Sequence, residues 1–329
     1  MIGSLTRSEA QTATDSRSTR RLLVAGMPRS GTSWLAKALS LADGFTYYRE
    51  PDNPEHVSGA KPYFRSLYLS REMSDPGYES HIARALDGRI ATPFTLAENL
   101  PLSLRRCTTV LSKIPLLDRL GVQLSRIVTP RPKNVLAKLV FANLTLERLA
   151  WRFPFAKQVY IVRHPCGQFE SWKRQGWEPR PEKLLGCTAL REDHLELFEP
   201  AIRSAETFWE RAGAYWGAIN YVIHRQSDGN HAQHRIQFEW LCEAPTERMR
   251  LLSETLRLNW NTAVERFLQR SNKNGSDLPY SLERDSRGQI AKWKQVLRRR
   301  EIDECRKYVE LFGIPLYPEF EPIPSEPSW

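Results

Sequence analysis

Arg21-Leu22-Leu23-Val24-Ala25-Gly26-Met27-Pro28-Arg29-Ser30-Gly31-Thr32-Ser33-Trp34 is the stretch from which the rest of the chain can be read. Its first five residues form a short apolar run of strand type, and Thr32–Leu41 continues with helical spacing. Between them two glycines flank four residues, a length that lets the backbone curl and turn its N–H groups toward one point. The positive end of the following helix faces the same point, so the turn is a cradle for an anion. A nucleoside-triphosphate loop would read G-x-x-x-x-G-K-[ST]. Here Thr32 stands in place of the Lys, and the cation, Arg29, lies inside the loop. That lysine serves to neutralise β/γ-phosphates beside a magnesium ion, so its loss argues against the alternative of a P-loop kinase or NTPase. No apolar strand ends in an Asp suited to hold such a metal.

Four further strand-like runs follow: Phe45–Tyr48, Asn134–Leu139, Gln158–Val162 and Arg235–Phe238. Helical patterns come after three of them, at Leu144–Arg152, Phe169–Arg174 and Thr246–Leu256. This alternation predicts an α/β fold of three layers, a central parallel sheet flanked by helices. Ligands in such folds bind at the carboxyl ends of the strands. Residues 53–130 break the pattern with scattered Pro and Gly, and we expect an irregular or helical insertion over the sheet's edge that could hold an acceptor. Ala201–Tyr221 has helical spacing, with Phe208, Trp209, Tyr215 and Trp216 expected in the core. The run Arg298-Arg299-Arg300 reads as a solvated helix face.

Composition sets broader bounds. Hydrophobic residues make up 41% of the 329, with ten Trp, enough to build a packed core. The net charge of +10 suits anionic ligands without choosing among nucleotides, an acidic acceptor and nucleic acid. No recognised nucleic-acid motif accompanies it, so a basic nucleic-acid-binding protein is the weaker alternative. The five cysteines are scattered without a C-x-x-C pair, which points to reduced thiols rather than a zinc site or disulfide framework. Residues 1–20 are polar, lack the apolar stretch of a signal peptide and read as a disordered leader to a single domain over 21–329. No run of about 18 apolar residues occurs. A cytoplasmic protein without a membrane span is the expectation.

The string Pro28-Arg29-Ser30-Gly31-Thr32-Ser33-Trp34 resembles the 5′-phosphosulfate loop of the sulfotransferases that depend on 3′-phosphoadenosine 5′-phosphosulfate (PAPS), P-[KR]-S-G-T-[ST]-W. The resemblance implies the P-loop NTPase-like fold of that family. It also implies that Arg29 and the backbone of Ser30, Gly31, Thr32 and Ser33 hold the 5′-phosphosulfate, with Trp34 against adenine. Val159–Pro165, with Arg163 and the later Ser171, is similar to the family's 3′-phosphate site. An Arg at a strand's carboxyl end offers a planar fork to a phosphate, and a Ser on the next helix adds a donor. Gln237–Leu241 resembles the family's Y-E-D-L stretch with Phe238 in the aromatic slot. Ser286-Arg287-Gly288 resembles the R-K-G loop over the 3′-phosphate; its first cation is missing, so only Arg287 and Gly288 carry over. Lys138 stands near the place of the lysine that faces the sulfuryl group, and Lys113 is its rival. These matches run from about residue 22 to 294 and skip 53–130.

Sulfuryl transfer is an in-line displacement in which positioning and charge stabilisation dominate. The transferring group carries less charge than a γ-phosphate, so no metal is expected. Lys138 and Arg29 are the expected neutralisers of charge on the leaving phosphate. Many cytosolic members of the family place a His two positions after the strand-end Lys; here that position is Val140. Other members, particularly those acting on sugars or tyrosine, use a Glu near the end of the second strand, and Glu50 is so placed, with Asp52 and His56 in reserve. The resemblance thus implies transfer from PAPS to a hydroxyl on a small molecule or saccharide, with Glu50 as base.

Overall fold

β1 (Arg21–Ala25) is covered on both faces: Leu22 and Val24 pack into one apolar cluster, Leu23 and Ala25 into clusters opposite. A strand buried on two sides needs partners at both edges and helices above and below. β2 (Thr46–Arg49), β3 (Val135–Leu139), β4 (Ala156–Val162) and β5 (Gln233–Gln237) complete the sheet in the order β2-β3-β1-β4-β5. Every neighbouring pair is parallel. The computed structural model describes residues 19–63, 68–90, 92–99, 132–227, 233–273 and 286–322. Most of the expected leader and the rival Lys113 lie outside the described residues.

The helices, numbered along the chain, are α1 (Thr32–Ser40), α2 (Pro76–Leu86), α3 (Pro93–Asn99), α4 (Leu146–Arg152), α5 (Pro165–Arg174), α6 (Glu199–Ser204) and α7 (Phe208–Ser227). After β5 come α8 (Phe238–Glu243), α9 (Pro245–Thr255), α10 (Thr262–Lys273), α11 (Ser286–Ile290), α12 (Trp293–Val296) and α13 (Arg299–Glu310). On one face, Leu35 and Leu39 of α1 and Leu252 of α9 pack on Leu22, Val24, Val159 and Ile161. On the other, Phe169 and Trp216 cover Tyr160 and Val162, while Ile82 and Leu149 cover Leu23 and Leu139. The three layers expected from strand–helix alternation are therefore present. Among the described residues no helix is long and apolar enough to cross a membrane. Cys166, Cys187, Cys242 and Cys305 form no disulfide.

One expected element is divided. The single helix over 201–221 is interrupted between Ser204 and Phe208. The Glu210 carboxylate accepts from the N–H groups of Glu206 and Thr207, and Thr207 Oγ1 accepts from the Glu210 N–H. This reciprocal cap starts a new helix at Phe208. Trp209 and Trp216 are buried as expected. Arg299 and Arg300 are solvated and pair with Asp303 and Glu304 one turn on.

The described part of the insertion is partly helical, and α3 lies against β2, the edge strand among the described residues. The Asn99 side chain accepts from the Tyr47 N–H and donates to the Tyr47 carbonyl. Glu79 ties α2 to the frame: it accepts from Arg148 Nε at 2.9 Å and from Arg152 Nε at 3.2 Å, both on α4. Glu79 and Arg148 are both 7% exposed. Removing one partner of such a buried pair leaves an uncompensated charge. Glu79→Ala is expected to lower unfolding free energy by about 3 kcal/mol, measured by urea denaturation; a loss within error would show that the pair does not anchor α2.

Candidate active site

The chain reverses direction across the sheet at β1, with β2 and β3 on one side and β4 and β5 on the other. Such switch points leave a crevice at the carboxyl ends of the strands. The Gly26–Gly31 turn occupies this crevice. Gly31 has φ 101, and a Cβ there would lie 2.5 Å from Phe238 Cδ2. At Gly26 a Cβ would lie 2.6 Å from the Ile161 carbonyl oxygen. Both glycines are thus required by close approach. Gln168 Nε2 and Trp172 Nε1, one turn apart on α5, donate to the Pro28 carbonyl at 3.0 and 2.9 Å and hold the loop's rim. Gly31 provides no side-chain cap to α1, and the first turn, beginning at Thr32, contains no acidic residue. Its orphan N–H groups and dipole favour an anion. Ser30 Oγ is buried without a hydrogen-bond partner.

On the β4 side, the Arg163 guanidinium lies 4.5 Å from the centroid of the Phe238 ring. Its NH1 donates to the Arg29 carbonyl at 3.3 Å, and Arg29 Nε donates to Ser171 Oγ at 2.9 Å. The two sequence matches, loop and strand-end arginine, therefore meet in space. Arg163 Nε is buried and has no acceptor. Burial lowers the Arg163 pKa, and the charge of Glu239 opposes that shift. Arg287 and Gly288 sit on α11, where Arg287 Nε donates to the carbonyl of Glu243 at the end of α8. Trp34 is 9% exposed and packs in the core, with its Nε1 donating to Ser271 Oγ at 3.2 Å.

On the β3 side, Lys138 is 1% exposed. Its Nζ donates to Glu50 Oε1 at 2.6 Å and to Ser33 Oγ at 3.0 Å. Glu50 directly follows β2 with φ 58, a left-handed conformation that costs energy in a residue other than glycine. Its other oxygen, Oε2, accepts from Asn53 Nδ2 at 2.8 Å. Burial raises the Glu50 pKa, but Lys138 and Arg49 beside it, with the Lys138 and Asn53 hydrogen bonds, bring it down to about 2. His56 Nε2 lies 3.8 Å from Glu50 Oε2, and burial lowers its pKa. Asp52 has a different place: its Oδ2 accepts from the N–H groups of Val140 and Phe141 and fixes the turn after β3. Burial, opposed by those backbone bonds, raises the Asp52 pKa to about 7. Val140 is 5% exposed.

The sequence reading overlooked the supporting residues. Gln168 and Trp172 share the spacing of one helical turn, a signal that was available. Asn53 is a neighbour of Glu50 in the chain, yet only the turn brings its amide to the carboxylate. The assembled site has an anion cradle at its centre, an arginine cluster on one flank and a lysine–carboxylate pair on the other. It is suited to moving a charged group from an anionic leaving group to a nucleophile.

No curated protein matches the chain at a significant level. Solved structures that it resembles include a sulfotransferase domain from the curacin biosynthetic pathway, at 17% identity and TM-score 0.46, covering 91% of this chain and 99% of that one. Mouse sulfotransferase SULT7A1 complexed with PAP is 11% identical with TM-score 0.41, over 92% of this chain and 88% of that one. Retinol dehydratase in complex with androsterone and inactive cofactor PAP is 14% identical with TM-score 0.36, over 91% and 83%. The model of the sulfotransferase family matches residues 21–262, from the first residue of β1 into α10, and the chain belongs to that family.

Proposed function

We propose that this protein, as a single domain over residues 21–329, transfers the sulfuryl group of PAPS to an acceptor hydroxyl. The observation that carries this reading is Lys138, a buried cation shared between Ser33 of the anion cradle and the Glu50 carboxylate. One residue thereby touches both the donor's loop and the candidate base. Unmet donors at Ser30 Oγ and Arg163 Nε fit a ligand with phosphate groups at two places.

PAPS supplies the sulfuryl group and leaves as 3′-phosphoadenosine 5′-phosphate. Arg29 and the backbone of Ser30 to Ser33 hold its 5′-phosphosulfate, while Arg163 and Ser171 hold its 3′-phosphate. Phe238 and Trp34 flank the base, and Arg287 with Gly288 closes over the nucleotide. Lys138 and Arg29 neutralise charge on the leaving phosphate. Glu50 takes the proton of the acceptor hydroxyl. In the free protein its affinity for that proton is too low, because Lys138 and Arg49 stabilise the carboxylate. When Lys138 turns toward the donor, burial of Glu50 is less opposed and its pKa rises. Arg49, His56 and Glu98 cluster about Glu50, an environment suited to a carbohydrate or other polar metabolite over a small phenol.

Thermal-shift measurement tests the donor. 3′-Phosphoadenosine 5′-phosphate is expected to raise the melting temperature and ATP–magnesium to leave it unchanged, with Arg163→Ala losing the shift; stabilisation by ATP–magnesium alone rejects the proposal. Glu50→Ala is expected to lower kcat at least about 100-fold with nucleotide affinity retained. Normal turnover in that variant moves the base elsewhere. The pH profile tests the role of Lys138. Activity is lost as pH falls through the Glu50 pKa, so the acid limb of kcat should lie above that of kcat/KM for the donor. Coincident limbs would show that Lys138 does not shift between partners.

A further inference from the structure

Two buried hydrogen-bond donors near the carboxyl end of β4 lack an acceptor, Arg163 Nε and Trp293 Nε1. Trp293 is 2% exposed. Its indole stacks on the His164 ring, with centroids 4.5 Å apart and planes 9° from parallel. The stack lays it against the first turn of α5, because His164 caps that helix and its Nδ1 accepts from the Cys166 N–H. Gly167 is in the same turn. A Cβ at Gly167 would sit 3.2 Å from Arg163 Nε and 3.2 Å from Trp293 Cδ1, the carbon bonded to Nε1. The absent side chain leaves a notch about one atom wide beside Arg163 Nε and the indole edge that carries Trp293 Nε1.

Nearly every buried donor in a folded protein has an acceptor, so two unmet donors at one notch require an explanation. The positive end of α5 adds a third attraction for negative charge at this place. Ser171 follows Gly167 by one helical turn and shares its face of α5. A phosphate held by Ser171 Oγ and the Arg163 fork is thus lined up with the notch. We infer that Arg163 Nε and Trp293 Nε1 grip one oxygen of the nucleotide's 3′-phosphate across Gly167, making Trp293 a specificity-determining residue for 3′-phosphorylated nucleotides. The inference rests on the PAPS reading. Trp293 contributes a neutral, directional donor, so it selects for the phosphate's position while Arg163 supplies the charge.

Calorimetric titration of the full chain with 3′-phosphoadenosine 5′-phosphate and with adenosine 5′-phosphate provides the test. Trp293→Phe keeps a ring over His164 and removes the N–H. Gly167→Ala keeps the indole and fills the notch. Each variant is expected to weaken 3′-phosphoadenosine 5′-phosphate about tenfold or more and to leave adenosine 5′-phosphate unchanged. Should Trp293→Phe fail to fold, Gly167→Ala gives the same readout. Undiminished discrimination in a folded variant, or equal losses for both nucleotides, overturns the role of Trp293. A wild-type protein that does not prefer the 3′-phosphorylated nucleotide overturns instead the parent reading.

Discussion

The position of β1 between β3 and β4 governs the placement of every charged group in the site. Its register puts Ala25 opposite Leu139 on one side and Tyr160 on the other. The Gly26–Gly31 turn therefore emerges with Lys138 at one hand and Arg163 at the other. Neither cation sits on the loop itself, and neither could reach it from another strand order. The adjacency is maintained by apolar packing on both faces, which leaves the polar residues at strand ends free to face the crevice.

The two flanks then solve the burial of positive charge differently. Lys138 has a carboxylate in contact, so its desolvation is met inside the protein by Glu50. Arg163 rests on the Phe238 ring and a backbone carbonyl, and among the described residues it forms no ion pair. Its nearest compensation is Glu239, whose own oxygens are engaged by the His164 N–H and the Tyr317 hydroxyl. A cation buried this way favours an external anion, whereas a contact pair such as Lys138–Glu50 must part or shift to act. The Arg163 flank is prepared for an anionic ligand. The Lys138–Glu50 flank is prepared for a rearrangement.

Much of this was legible in the chain. The five strand-like runs all became strands, because β-rich apolar segments bounded by turn residues encode themselves locally. The loop could be read because its glycines and Arg29 are adjacent in sequence. Arg163, Lys138 and Glu50 stand at strand ends and Ser171 on the helix after β4; the resemblance singles them out, and the structure brings each toward the loop. What escaped depends on contacts between distant segments. Asp52 gives its carboxylate to the backbone after β3, and no local pattern distinguishes it from Glu50, two residues earlier. Trp34 turns toward Ser271 on a helix far along the chain. The break before Phe208 is the exception: the Thr207–Glu210 pair is a capping signature, and the continuous aromatic spacing masked it.

The sheet order has a consequence for how the molecule folds and diversifies. Leu22 pairs with Leu136 and Lys157, so β1 has no neighbour until the chain beyond the insertion has been brought back. Pairing of this non-local kind makes assembly slow compared with a helical bundle of similar stability. The entropy of closing that loop grows only logarithmically, at about 0.6 kcal/mol per doubling of its length. Lengthening or shortening the segment between β2 and β3 therefore costs little once the loop must be closed at all. The connection between β3 and β4 spans only residues 140–155 and lacks this latitude. Evolution can therefore change the segment between β2 and β3 in length as well as in sequence while the parallel sheet keeps its dimensions.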